Sequence, residues 1–306
     1  MAVYLIAFVL FAIDIAKRSA NASTAAGQLA MSEGQLAASG SGGVATLERQ
    51  ATDAAAPRYR FERVGFALTV LATALHVGGV VLRGVAQGFV PWANMFEFSL
   101  TSSAIIAVVF LLLQFWQDLK FLGVYMTGFV LIALGVGTVN FYVPVKPLPD
   151  ALDSYWLIIH VFVAALGTAL FAVGAALSLL QLLQARRESG AGGRGLAFLR
   201  TLPNSVRLEN SAYLVTVVGF VFWTFTLVAG AIWAERAWGR YWGWDTKEVW
   251  TFIIWTVYAG YIHARATRGW RGARSAWLAL IGFASVLFNY TVVNLFFKGL
   301  HSYSGL

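Results

Sequence analysis

The chain has 306 residues, of which 59% are apolar and only 12% charged, about half the charged share usual in soluble proteins. With a mean hydropathy of +0.70, it lacks the polar surface a soluble fold of this size needs. The composition excludes a soluble globular protein and predicts an all-α polytopic membrane protein of roughly seven to ten helices. The net charge of +8 is read as loop charge set by membrane orientation, so no nucleic-acid partner is expected. The absence of cysteine excludes disulfides, thiolate metal ligation and thiol exchange by this chain.

Eight apolar runs follow in chain order, at about 2–16, 64–82, 98–116, 121–142, 155–183, 211–234, 249–264 and 276–297. The first is short and carries Asp14. No positive charge precedes it and Lys17 and Arg18 follow it, so it reads as an anchor with its N-terminus outside and not as a signal peptide. Residues 17–63 are expected to be a flexible cytoplasmic loop, because 19–57 are rich in Ala, Ser and Gly without hydrophobic periodicity. Residues 64–306 then form a seven-helix core. Strict alternation puts 17–63, 117–120, 184–210 and 265–275 inside. Those loops hold sixteen of the 22 Lys and Arg, which orients both termini to the outer side.

Side chains with chemical potential concentrate between the sixth and seventh runs, in the outer segment 236–250. Six of the twelve tryptophans fall between 233 and 255. Trp238, Tyr241, Trp242 and Trp244 crowd one short loop with Gly239 and Gly243 between them. An interfacial aromatic belt is the plain explanation for such residues. Large rings beside glycines leave flat accessible faces, however, and that favours a platform for a large planar apolar ligand. Asp245 and Glu248 have the spacing of a helix N-cap with its supporting Glu, and Asp245 is equally a candidate for ligand contact. Arg240 and Lys247 flank the loop, placed to pair with ligand carboxylates or to snorkel.

The chain has four histidines. His160 lies about five residues into the fifth run, roughly 7 Å below its outer end at 1.5 Å per residue. His301 follows the last run on the same side. His263 is roughly 24 Å deeper than Lys247 along the seventh run, in the inner half, and His76 lies in the second. Imidazole is an axial ligand for haem iron, and ionisable groups inside spans are functional candidates. Two outer histidines beside a tryptophan-rich loop therefore make a candidate haem site, with His263 as a candidate inner ligand and His76 expected to be structural. A respiratory b-type cytochrome is the alternative from another class, although an outer aromatic loop has no evident use there.

At these residues the sequence resembles a known family. The stretch Trp238-Gly-x-x-Trp242-x-Trp244-Asp245-x-x-Glu248 is similar to the "WWD" signature of haem-handling proteins in cytochrome c maturation. Within that superfamily the chain resembles the CcsA/ResC family of System II over nearly all of its length after residue 60. The resemblance includes Pro91-Trp-Ala-Asn94-Met-Phe-Glu97-Phe, the stretch from Pro147 to His160, and Gly299-Leu-His301-Ser-Tyr. It implies that His160 and His301 ligate external haem iron, that His263 helps to hold haem within the membrane, and that haem b is a transported ligand or substrate. It also implies a separate ResB/CcsB-type membrane partner and a CxxCH apocytochrome c kept reduced by thiol-reducing proteins. The place implied is a bacterial cytoplasmic membrane with the active site on its outer face. Together these describe the haem-handling subunit of a two-protein cytochrome c synthase, in which the chain's own part is positioning and not chemical catalysis. A CcmC-like haem chaperone of System I is the alternative within the superfamily.

Overall fold

The computed structural model describes residues 1–38, 60–149, 152–191 and 194–301. Among them there is no β-strand, and eight long helices form the molecule: α1 (Ala2–Ala38), α2 (Arg60–Gln87), α3 (Met95–Leu113), α4 (Gly123–Asn140), α5 (Tyr155–Glu188), α6 (Ser205–Trp238), α7 (Thr246–Arg268) and α8, which runs from Ala273 to Phe288 and continues to Phe296. Each covers all or most of one of the eight apolar runs. Six are long and apolar enough to cross a membrane on length and composition alone. The other two, α1 and α7, carry Asp14, Lys17 and Arg18, and Lys247, Glu248 and Arg265.

The loop expected at 17–63 is partly helix. The first helix does not stop near residue 16 but continues to Ala38, and α2 begins at Arg60. The physical reason is propensity: 19–38 are rich in Ala, which is helix-favouring without needing an apolar stripe. Residues 39–59 of that expected loop lie outside the described residues. The charge in α1 also has a structural use. Asp14 pairs with Arg18, Arg18 reaches Glu62 at 2.5 Å, and Asp14 Oδ1 accepts from the Glu62 backbone N–H at 3.2 Å. The first turn of α2 is thereby tied to the end of the α1 span, and a carboxylate at a helix N-terminus is favourably placed.

Among the described residues, α5 and α6 pack against each other most extensively, and they run antiparallel. Gly219 lies where any Cβ would come within 3.0 Å of Leu170 and Phe171, and Gly174 lies against Thr216. Small residues at such seams let the backbones approach, which substitutes for a hydrophobic driving force inside lipid. Around this seam Phe171 stacks on Tyr258 of α7 with ring centroids 3.7 Å apart, packing with Trp223, Ile254, Phe283 and Val286. Near the N-terminal end of α5 a smaller cluster of Trp92, Leu152 and Leu157 packs on Trp233 and Val161. These two clusters frame the space in which the candidate ligands meet.

Candidate functional site

The loop between α6 and α7 is built from both of its ends. Gly239 terminates α6 at φ +69°, a left-handed position that favours Gly, with its N–H bonded to the Glu235 carbonyl at 2.7 Å. Six residues later Asp245 caps α7, accepting from the Lys247 N–H at 2.9 Å, while Glu248 Oε2 accepts from the N–H groups of Asp245 and Gly243 at 3.0 and 2.9 Å. This is the capping box the spacing predicts. It also fixes Trp244 between two restrained amides at φ +58°, a conformation strained for a non-glycine residue.

A cavity of about 460 Å³ opens beneath this loop, within the range of small-molecule and cofactor sites. Trp238, Tyr241 and Trp242 line it, as do Lys247, His160 and His301. Trp244 does not: its ring meets Trp242 edge-on at 5.9 Å and is 75% exposed. Arg240 and Asp245 are not on the cavity wall either. A Cβ on Gly243 would fall on the Arg240 guanidinium, so Arg240 lies folded over its own loop. The expected platform is thus divided, with three rings facing the cavity and one turned outward.

His160 and His301 are held in the same way. His160, in the second turn of α5, sets Nδ1 3.1 Å from the Thr226 carbonyl of α6. A carbonyl only accepts, so Nδ1 carries the proton and Nε2 keeps its lone pair. Gly230, one turn further along α6, makes room for the ring, since a Cβ there would stand 2.8 Å from it, and Trp233 closes edge-on at 5.6 Å. His301 sets Nδ1 3.3 Å from Asp245 Oδ1 and rests edge-on against Trp238 at 4.8 Å. Both His301 and Lys247 lie within electrostatic reach of His160. Hydrogen bonding of one ring nitrogen to a carbonyl or carboxylate is the usual preparation of a metal-binding imidazole. The His301 contact, first, and the surrounding N–H donors hold the Asp245 carboxyl down to about 2, below the ordinary value near 3.9. Its folded pKa is lowered, so that stabilisation is present at neutral pH and is lost as pH falls through about 2.

The chemistry of the donor set fits haem better than a bare ion. Among the described residues no group of three or more His, Cys, Asp and Glu could hold a metal. A macrocycle supplies the equatorial donors itself and asks the protein for two axial ones. The remaining wall is largely aromatic and aliphatic, with Lys247 Nζ bonded to Asn294 Oδ1 at 2.5 Å.

The other two histidines stand apart. His76 is buried, with Nε2 2.9 Å from the Leu100 carbonyl and Nδ1 3.4 Å from the Tyr4 hydroxyl, so both ring nitrogens are engaged in packing the bundle. His263 is exposed on the C-terminal half of α7 and is not on the cavity wall. The structure does not bring it to His160 or His301.

Several wall residues had no role assigned from sequence. Trp92 and Phe98, in the Pro91–Phe98 stretch, reach the cavity because Asn94 caps α3 and Glu97 is buried against Arg83 at 2.8 Å, also accepting from the Ala93 N–H. In α8 the turn Asn289–Val293 is a π-helix. Such turns are often found at functional sites, and this one presents Asn289, Tyr290 and Asn294 to the cavity, with Tyr290 stacked on Phe98 and bonded to Ser99. The quoted motif was the signal for the first group. No sequence pattern announces the second.

Residues 92–301 match the family model described as "Cytochrome C assembly protein", a span that begins at one cavity tryptophan and ends at His301. Relatives named "Cytochrome c biogenesis protein CcsA" include one from Guillardia theta, 33% identical over 79% of this chain and 86% of its own. Another, from Parasynechococcus marenigrum, is 35% identical over 77% and 85%. One from Synechococcus elongatus is 32% identical over 78% and 86%.

Proposed function

The chain belongs to the cytochrome c assembly family, and from that premise we propose that it acts in cytochrome c maturation by presenting haem b at the outer face of a bacterial cytoplasmic membrane. The observation that carries the proposal is the pairing of two imidazoles on one aromatic cavity, each with Nδ1 bonded to an acceptor and Nε2 left for a metal. His160 and His301 would hold the iron from its two axial sides. Trp238, Tyr241 and Trp242 would lie against the macrocycle, and Lys247 would face its carboxylates. The bound haem supplies two vinyl groups, across which the S–H bonds of a CxxCH apocytochrome add to give thioethers.

The chain's own contribution is orientation and the exclusion of alternatives. Without cysteine, it offers no thiol to compete with the substrate. A separate ResB/CcsB-type membrane protein is the expected partner, with thiol-reducing proteins upstream. His263, an exposed imidazole in the inner half of α7, is proposed as a contact for haem on its way to the outer cavity. The test is co-expression with a ResB-type partner and a CxxCH apocytochrome in cells lacking their own maturation system, scored by covalently attached haem. Wild type is expected to give holocytochrome, and His160→Ala and His301→Ala little or none. Normal output from both variants would overturn the reading.

A further inference from the structure

His301 and Asp245 are 56 residues apart in sequence and belong to different elements. His301 lies beyond the end of α8, and Asp245 opens α7. One carboxylate joins them at several points. Oδ1 accepts from the Lys247 N–H, which is the helix cap, and from His301 Nδ1. Oδ2 accepts from the Leu300 N–H at 2.8 Å. Gly299 sits so close that any Cβ there would collide with Oδ2. Asp245 itself is not on the cavity wall, so it reaches the cavity only through the segment it grips.

We propose that Asp245 is the positioning residue for His301. It clamps residues 299–301 onto the cap of α7 so that one imidazole faces the cavity with its proton fixed on Nδ1. The proposal rests on His301 being an iron ligand, but the clamp itself does not. A carboxylate behind an imidazole also raises the basicity of the ligand nitrogen. Asp245 would therefore set both the place of His301 and the electron donation it makes to iron.

A carboxylate is needed because its two oxygens accept in two directions at once. Asparagine has one acceptor oxygen, and its amide nitrogen only donates. In Asp245→Asn the oxygen can keep the cap, since Asn caps nearly as well. The amide nitrogen then faces the Leu300 N–H, and the clamp fails while α7 stays capped. Gly299→Ala breaks the approach from the other side and leaves the carboxylate intact.

The experiment has two readouts. The first is hydrogen exchange at the Leu300 and Lys247 amides in haem-free full-length protein. Faster exchange at Leu300 in both variants, with Lys247 still protected in Asp245→Asn, is the expected result. Unchanged Leu300 exchange in both variants would overturn the clamp, whatever the protein binds. The second is the absorption spectrum, haem retention and reduction potential of haem-loaded protein. Haem retention should fall roughly 10- to 100-fold, with a higher potential in Asp245→Asn than in Gly299→Ala for the fraction still bound, because only the former removes the negative charge behind the imidazole. Faster exchange with an unchanged spectrum and potential would overturn the positioning role. His301→Ala is measured alongside. If that variant binds haem as wild type does, the ligand reading itself fails, and the exchange data separate that failure from failure of the clamp.

Discussion

Beside the tryptophan-rich loop, His160 and His301 each spend one ring nitrogen on an acceptor, and both line one shared cavity. Away from that cavity, His76 spends both nitrogens on Leu100 and Tyr4, and His263 lies exposed on α7. The residue type is the same, yet the surroundings make ligand candidates of one pair, use His76 in packing, and leave His263 away from that cavity. Burial alone does not separate them, since His76 is more buried than His301. What separates them is how many ring nitrogens the protein already uses and what lies in front of the remaining one. A histidine in a membrane helix is a functional candidate only after its hydrogen bonds have been assigned.

That contrast can be broken most forcefully by exchanging the roles of the two sets. Alanine at His160 or His301 is expected to reduce haem retention by more than about 100-fold, beyond the 10- to 100-fold typical of partners behind a metal ligand. Alanine at His76 should leave haem binding intact and lower stability by a few kcal/mol, the order expected for losing two buried hydrogen bonds and their packing. Thermal unfolding and haem titration of the same purified variants measure both effects. Loss of haem in His76→Ala at unchanged stability would collapse the distinction.

A second comparison sets cavity wall against scaffold. Glu97 is 1% exposed and pairs with Arg83, so Glu97→Gln leaves a mostly covered guanidinium without its charge partner. The cost should be about 3–5 kcal/mol of stability, and folded protein that survives should keep the two-histidine haem spectrum. Calorimetry in detergent and absorption spectra together decide whether the Pro91–Phe98 stretch acts as scaffold or as ligand.

Much of this was legible in the sequence. The helix count follows from the eight apolar runs, six of which lie in helices long and apolar enough to cross a bilayer, and the cap at Asp245 from its spacing to Glu248. The extension of α1 was not, because a hydrophobicity reading passes over alanine-rich helix that has no apolar stripe. The separation of Trp244 from Trp242 was also hidden. A helix or strand period tells which side chains share a face, but residues 239–245 follow neither, and only the left-handed turn at Trp244 sends its ring outward. The Thr226 carbonyl behind His160 and the Asp245 carboxylate behind His301 are tertiary contacts across 66 and 56 residues, beyond the reach of any local pattern.

The tryptophans sharpen the same contrast at smaller scale. Trp242→Ala should weaken haem retention by roughly 30-fold, the effect of losing about 2 kcal/mol of aromatic contact. Trp244→Ala should weaken it little, and membrane insertion should survive both. Equal losses would restore a four-ring platform. His263→Ala is expected to leave the affinity for added haem unchanged and to reduce only the amount loaded in cells, with partial recovery in imidazole; a haem titration beside a cellular loading assay separates the two. The smallest effect is at the backbone. Trp244→Gly should be about 1 kcal/mol more stable than Trp244→Ala, because glycine accepts φ +58° without strain.

The most direct test of the two-histidine account is the low-temperature electron paramagnetic resonance and absorption spectrum of haem-loaded protein, compared with His160→Ala and His301→Ala. A low-spin signal of iron with two imidazole ligands is predicted for wild type. In either variant it should convert to a high-spin signal and return when imidazole is added. A low-spin two-imidazole signal that persists in either variant without added imidazole would contradict the assignment of His160 and His301 as the two axial ligands.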